Sequence, residues 1–210
     1  MTFGPTYIYE CPQCNNLISR GSIASGNTFD MKLYSDAKRI TPMLMEFPNI
    51  TKCEKCNHIF KIDDLKEIGK YSWGDEVIDD WKNADEVNFL DIYDNFTALT
   101  KNIAKTDEEE LDIRFSIWWL FNDRVRNDED LFSLEDDKNL WQDNLNRLIE
   151  LLLKADQVNI IMIAEIYRSL GDFDNCMKII DGLDAEKYDF LKVPFSRECK
   201  AKNTKVFQLI

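Results

Sequence analysis

Two short stretches decide the fold of the first part of this chain: CPQC at residues 11–14 and CEKC at residues 53–56. Each is a Cys-x-x-Cys pair, and a tight turn over such a pair directs two thiolates toward one point about 2.3 Å from each sulfur. Two pairs together supply the four ligands of a tetrahedral shell, the geometry that zinc prefers. The sequence therefore predicts one metal site, with the candidate ligands Cys11, Cys14, Cys53 and Cys56.

Strand-forming residues flank both pairs, because residues 6–9 lead into the first and residues 57–62 leave the second. These features resemble a zinc ribbon, in which two knuckles at hairpin ends share one metal ion. The resemblance covers about residues 6–64 and implies a single structural zinc ion as cofactor. The spacer of 38 residues between the pairs is longer than compact ribbons use. We expect its Gly21–Asn27 stretch to be a flexible turn region, and the rest to add a strand or a small hairpin to the ribbon.

Other chemistries remain open for these cysteines. A catalytic zinc ion needs an open coordination position and usually His or carboxylate ligands, and a redox dithiol opens a helix rather than occurring in matched pairs. An iron–sulfur cluster is a further alternative. A disulfide framework is less expected, because no signal peptide is visible. His58, the only histidine, has three possible roles: it replaces one ligand, it is an exposed strand residue, or it donates a hydrogen bond to a ligand.

The charge of the chain is concentrated in its middle. The net charge is −13, and residues 71–150 carry eight Lys and Arg against 22 Asp and Glu, a net of −14. Such a surface repels nucleic-acid phosphate over a Debye length of roughly 8 Å at physiological salt. Lysines near the second pair are interleaved with acids, so the basic signal cancels there as well. Nucleic acid is therefore not the expected partner.

From about Asp63 the apolar spacing becomes helical. Thr106 followed by three acids predicts a helix start, and apolar residues at three- and four-residue steps predict a helix to Arg126 and another from about Lys138. Trp118 and Trp119 cannot face the same way on a helix, so one belongs in the core and the other at a contact or on the surface. Four polar positions of this helix either pair locally or line a peptide groove: Arg114, Asn122, Asp123 and Arg124.

A second resemblance lies in residues 159–184. Ile163-Ala164, Tyr167, Gly171-Asp172-Phe173 and Cys176 resemble one tetratricopeptide repeat, which implies two packed helices joined by a turn. In that resemblance Gly171 ends the first helix, Phe173 lies between the two helices, and Cys176 takes the small position of the second. An array needs about three repeats, so we expect a short helical bundle followed by a terminal packing helix and an apolar tail. Cys176 and Cys199 are expected to be small buried residues.

These observations predict an α+β protein, with a zinc-ribbon-like domain over residues 1–66 and an acidic, TPR-like helical domain over residues 67–210. No apolar run approaches the roughly 20 residues of a membrane span, and no secretory signal is visible, so we expect a soluble, cytoplasmic protein. No phosphate loop or nucleophile motif is present, so an enzyme is not expected. The expected function is binding of another protein or peptide. Two rival hypotheses are a nucleic-acid-associated factor that uses the ribbon and an acidic inhibitor or immunity-type protein that covers a basic enzyme surface.

Overall fold

The structure is a computed structural model that describes residues 1–157 and 159–210. It confirms the mixed α/β class, with small sheets in the first part of the chain and helices in the rest. In chain order the strands are β1 Thr2–Phe3, β2 Thr6–Glu10, β3 Leu17–Arg20, β4 Ile23–Ser25, β5 Lys32–Leu33, β6 Arg39–Ile40, β7 Ile50–Lys52, β8 Ile59–Lys61, β9 Gly69–Tyr71 and β10 Asp85–Glu86. The α-helices are α1 Asp79–Lys82, α2 Ile92–Thr100, α3 Asp107–Arg126, α4 Asp137–Lys154, α5 Ile160–Ser169, α6 Phe173–Gly182 and α7 Ala185–Lys200.

The chain packs as two compact units. The first contains Met1–Met31 and Thr41–Ile103, and the second contains Lys32–Ile40 and Ala104–Ile210. The first unit thus extends beyond the ribbon-like region, and the spacer contributes nine residues to the second. The predicted division into domains at residues 66 and 67 stays a prediction.

Two β-hairpins organise the first unit. Strands β2 and β3 pair antiparallel, as do β7 and β8, and each pair is joined by one Cys-x-x-Cys stretch. The sheet has the order β10-β3-β2-β9, in which β9 is antiparallel to β2 and β10 is parallel to β3. The predicted strands beside the cysteine pairs are therefore present, and each hairpin places its cysteines at the turn.

The spacer between the cysteine pairs forms more strand than we expected. Residues Ile23–Ser25, within the stretch predicted as a flexible turn, form β4 and pair with β1. A small hairpin is present, as anticipated, but it is β5 and β6 and it packs with the helices of the second unit rather than with the ribbon. Its turn is tight: the Tyr34 amide donates to the Lys38 carbonyl at 3.0 Å, and Ala37 has a φ of 59°.

Helices α3 and α4 cover the two segments that the sequence predicts as helical, and they pack against each other as an antiparallel pair. The Thr106 hydroxyl caps α3 by accepting a hydrogen bond from the Glu109 amide at 3.2 Å. Aromatic rings fill the contact between the helices, since Phe121 and Trp141 meet edge to face with 5.4 Å between centroids. Trp118 is fully buried, whereas the Trp119 indole N–H donates to the Asp36 carbonyl at 3.0 Å. The two tryptophans therefore face different surroundings, as their adjacency requires.

Helices α5, α6 and α7 share a second apolar core. Gly171 adopts a φ of 83° between α5 and α6, a left-handed conformation that glycine adopts without steric cost. The buried residues of this core are Ala164, Cys176, Ile180, Leu183, Leu191, Phe195 and Cys199. Phe207 and Leu209 of the C-terminal tail pack against it. Across residues 1–157 and 159–210, every helix is too short or too polar to pass through a lipid bilayer.

Candidate metal centre

The two cysteine turns have the same backbone structure. In the first, the Cys11 amide donates to the Asn16 carbonyl at 2.8 Å, and the Asn15 amide donates to the Cys11 carbonyl at 2.9 Å. In the second, the Cys53 amide donates to the His58 carbonyl at 2.9 Å, and the Asn57 amide donates to the Cys53 carbonyl at 2.8 Å. Both turns thus close through the same pair of backbone hydrogen bonds.

An asparagine follows the second cysteine of each pair. Asn15 and Asn57 both have a φ of 57°, in the left-handed region that asparagine tolerates better than most residues. This conformation reverses the chain so that it can enter the next strand. The shared Cys-x-x-Cys-Asn pattern was visible in the sequence, and it was the signal for this turn that our reasoning missed.

The four sulfur atoms lie close enough to share one ion. The Sγ atoms of Cys11 and Cys56 are 3.7 Å apart, as are those of Cys14 and Cys53, and all four lie within 4.8 Å of one another. Four sulfurs at about 2.3 Å from a central ion would be separated by about 3.8 Å along each edge of the tetrahedron. A disulfide would need about 2.05 Å, so the thiols are free. The observed spacing fits a tetrahedral metal site.

Hydrogen bonds from backbone amides and contacts among the thiols give Cys14 and Cys56 different pKa values. The amide of Asn16 is the main cause that lowers the pKa of Cys14, to about 7. The amide of His58 acts in the same direction on Cys56, but burial and the three neighbouring thiols outweigh it and raise the pKa to about 12. Burial raises the pKa of Cys11. A metal ion among the sulfurs would favour their thiolate forms, because thiolates are the form that ligates a metal.

The cysteines are also part of the core of the first unit. The first cysteine of each pair is buried, with Cys11 at 0% and Cys53 at 1% exposure, whereas the second is partly exposed. Ile18, Phe60 and Ile62 are the other buried members of this core. Because two of its five buried residues are cysteines, the packing of this core depends on the state of the cluster.

Residues far along the chain tie the two turns together. Asn16, beside the first turn, donates to the Asp85 carboxylate at 2.5 Å, and Val87 packs against the cysteine core. Asn88 reaches the second turn, because its side chain donates to the Glu54 carboxylate at 2.7 Å and its amide to the Thr51 hydroxyl at 3.0 Å. Residues 85–88 therefore form a strap across both hairpins, for which the sequence offered no local signal.

The remaining cysteines and the histidine lie outside the cluster. Within the described residues, the group placed to bind a metal consists of the four paired cysteines alone. The His58 ring stacks on Phe60 with 6.0 Å between centroids. Cys176 and Cys199 are buried in the core of the helices with 3.6 Å between their sulfurs, as their expected role of small buried residues requires.

The polar positions of α3 fall into two groups. Arg114 and Arg124 pair within the helical region: Arg114 binds Glu110 at 2.7 Å, and Arg124 binds the buried Asp137 at 2.6 Å. This is the local pairing that the sequence offered as one alternative.

The other two positions bind the β5–β6 hairpin of the same chain. Asn122 donates to the carboxylate of the fully buried Asp36 at 2.7 Å, and Asp123 pairs with Lys38. Arg126 completes the contact, because its guanidinium pairs with Asp36 and lies 4.5 Å from the Tyr34 ring centroid. A peptide segment does lie along α3, and it belongs to the chain itself.

A buried ion pair fixes the tip of the same hairpin to α5. Glu165 and Arg168, both fully buried, are joined by two hydrogen bonds of 2.7 and 2.6 Å, and the Ser35 hydroxyl donates to Glu165 at 2.6 Å. Burial raises the pKa of Glu165, and Arg168 opposes that shift. These charged groups satisfy one another, so they hold the hairpin in place and are not free to act on a ligand.

Comparison with protein-family models, with curated proteins and with solved structures finds no match for this chain. Its class is therefore defined by its own geometry. It is a mixed α/β protein with a four-cysteine candidate metal centre in one unit and a helical second unit.

Proposed function

We propose that Cys11, Cys14, Cys53 and Cys56 hold one structural zinc ion, and that the chain is a non-enzymatic, zinc-stabilised protein that binds another protein or peptide. The observation that carries the metal assignment is the sulfur arrangement, with 3.7 Å edges and all atoms within 4.8 Å. Tetrahedral sulfur coordination is typical of zinc. An iron–sulfur cluster is the alternative that uses the same ligands.

The ligand set supports a structural role for the ion. Four thiolates fill every position of a tetrahedral shell, so no position is left for water or substrate. Cys11 and Cys53 also belong to the buried core, so the ion would link the two hairpins from inside. A structural zinc ion contributes directly to folding free energy, so we expect the stability of the first unit to depend on it.

The local folds support the two resemblances. Each cysteine pair lies in the turn of a hairpin, as in a zinc ribbon, and α5 and α6 form a helical pair around Gly171, as in one tetratricopeptide repeat. We infer a ribbon-like zinc unit joined to a short TPR-like bundle. The bundle supports a binding role, because helices of this kind present surfaces to other polypeptides.

Two observations support a protein partner over nucleic acid. Phe190 and Val193 lie one turn apart on α7 and are 58% and 66% exposed, and exposed apolar side chains on one helix face are suited to contact another protein. In the first unit, Lys52 is paired with Asp94, which reduces its availability to phosphate. The acidic segment 71–150 favours a second candidate function, an inhibitor that covers a basic enzyme surface.

Cobalt substitution tests the metal site. The chain is purified without added metal, stripped under reducing conditions, and titrated with Co²⁺ and then Zn²⁺. We expect one equivalent of Co²⁺ to produce thiolate charge-transfer and tetrahedral d–d absorption, both removed by one equivalent of Zn²⁺. Octahedral cobalt spectra or an iron–sulfur chromophore in the purified protein would contradict the proposal.

Affinity capture tests the binding role. Tagged, zinc-loaded protein is used to capture partners from nuclease-treated native lysate at low and high salt. A stoichiometric protein that remains after nuclease treatment supports the proposal, and its loss at high salt favours the inhibitor hypothesis. Capture that disappears with nuclease would show that the ribbon binds nucleic acid instead.

A further inference from the structure

One turn of the first unit carries a completely exposed tryptophan. The loop after β9 places Trp73 at 100% exposure and Ile78 at 59%. The turn is ordered by its own hydrogen bonds, since the Ser72 amide donates to the Asp75 carboxylate at 2.7 Å and the Asp75 amide donates to the Ser72 carbonyl at 3.1 Å. The large apolar side chain is thus displayed at the tip of a defined turn rather than on a flexible tail.

The base of this loop is closed on the sheet. Strand β9 pairs with β2, which fixes the first end of the loop. The other end enters α1, whose Trp81 lies over Gly69: a Cβ at residue 69 would be 2.0 Å from the Trp81 ring. By contrast, a Cβ on Gly74, at the tip, would meet nothing within 4 Å. Closure at the base holds the backbone of the loop before binding, which lowers the entropic cost of a contact, and the open space at the tip leaves room for a partner.

The charged residues inside this loop are all acidic, and one of them, Asp79, pairs with Lys82 at 3.3 Å. Between Lys70 and Lys82 the charged residues are all acidic, and all four are exposed: Asp75, Glu76, Asp79 and Asp80. Tryptophan is the residue most enriched among those that dominate protein interfaces, and acidic neighbours favour a partner of opposite charge. The same charges repel phosphate groups of nucleic acids and anionic lipids.

We propose that residues 72–80 are a docking loop for a basic amphipathic helix of a partner protein, with Trp73 and Ile78 contacting its apolar face and the acids contacting its Lys or Arg residues. This rests on the proposed binding function and adds a second surface to the face of α7, with a stated partner chemistry. The contact lies in the unit that contains the cysteine cluster, so the zinc ion would support the scaffold that presents it.

The test uses the full, zinc-loaded chain and a defined probe. The probe is a synthetic amphipathic Lys/Leu helix of roughly 18 residues, about five turns, and its control is a peptide of the same composition with the leucines distributed around the helix. Binding is measured by titration calorimetry at low and high salt. The variants are Trp73→Ala and, as a matched control, Phe29→Ala, which removes an aromatic residue that is 74% exposed elsewhere in the same unit.

We expect 1:1 binding of the amphipathic peptide, weakened at least about 10-fold by Trp73→Ala and little changed by Phe29→Ala. Replacing Glu76 and Asp80 by their amides is expected to reduce the dependence of binding on salt. Undetectable binding, equal binding of both peptides, or unchanged binding by Trp73→Ala would overturn the proposal. Zinc content is measured on each sample. If the zinc-loaded Trp73→Ala chain still captures its partner in the affinity experiment, the docking loop is refuted and the proposed function is retained.

Discussion

Replacing Cys53 by Ser should unfold the first unit and leave the helical unit folded. Cys53 is 1% exposed, its sulfur is 3.7 Å from that of Cys14, and it belongs to the same core as Ile18 and Phe60. Structural zinc contributes roughly 10–16 kcal/mol in small domains, which is as large as the whole net stability of a typical domain, about 5–15 kcal/mol. A buried hydroxyl without a partner adds a cost of about 1–3 kcal/mol. The loss of zinc therefore exceeds what the remaining packing can offset.

Hydrogen exchange read by mass spectrometry localises this effect. We expect loss of protection at residues 6–20 and 50–61, and retained protection in α3 and α4. The matched control is Cys176→Ser, which places the same substitution at a buried cysteine outside the cluster and should lower stability by about 1–3 kcal/mol with zinc retained. A Cys53→Ser protein with full zinc content, unchanged melting and unchanged protection would refute the reasoning.

Three further predictions concern single residues. Asn57→Ala should destabilise the chain by about 1–2 kcal/mol, because a φ of 57° is less favourable for alanine than for asparagine. The measurement is the melting temperature, which should fall. Arg126→Met should cost about 3–5 kcal/mol in urea unfolding, because it leaves Asp36 buried without its charged partner, and Asp36→Asn in the same chain should recover part of the loss. The Arg147 guanidinium is the main cause that lowers the pKa of Glu110 to about 2. The Glu110 carboxylate therefore stabilises the fold at pH values above its unfolded pKa of about 4.5, and this stabilisation is lost as the pH falls toward 2. Glu110→Gln should remove about 1–2 kcal/mol at pH 7, less than the full pKa shift implies, because solvent screens this partly exposed ion pair. It should also flatten the stability profile between pH 4.5 and 2, and an unchanged profile would show that the ion pair does not form.

The candidate site was predictable because its information is local. Each Cys-x-x-Cys pair fixes a turn within a few residues, and the strand-forming flanks fix the hairpin around it. The helix cap at Thr106 and the left-handed glycine at residue 171 likewise determine the structure of only the adjacent one or two turns. Such features survive in any tertiary context, which is why the elements they predict are present.

The missed contacts are long-range. Asp36 is an aspartate, a residue type that is normally exposed. Nothing near it in sequence indicates that Asn122 and Arg126, which are 86 and 90 residues further on, bind its carboxylate in the core. The strap residues Asp85 and Asn88 are likewise polar groups in an acidic stretch. Only the folded arrangement shows that they bind residues beside the two cysteine turns.

The identity and coordination of the metal test the central claim most directly. The protein is purified from cells without added metal, and its metal content is measured by elemental mass spectrometry. X-ray absorption at the zinc edge then reports the identity of the metal and its coordination. The account predicts one zinc per chain with four sulfur neighbours at about 2.3 Å. Chains without zinc, or zinc with nitrogen and oxygen neighbours in place of the sulfurs, would contradict it.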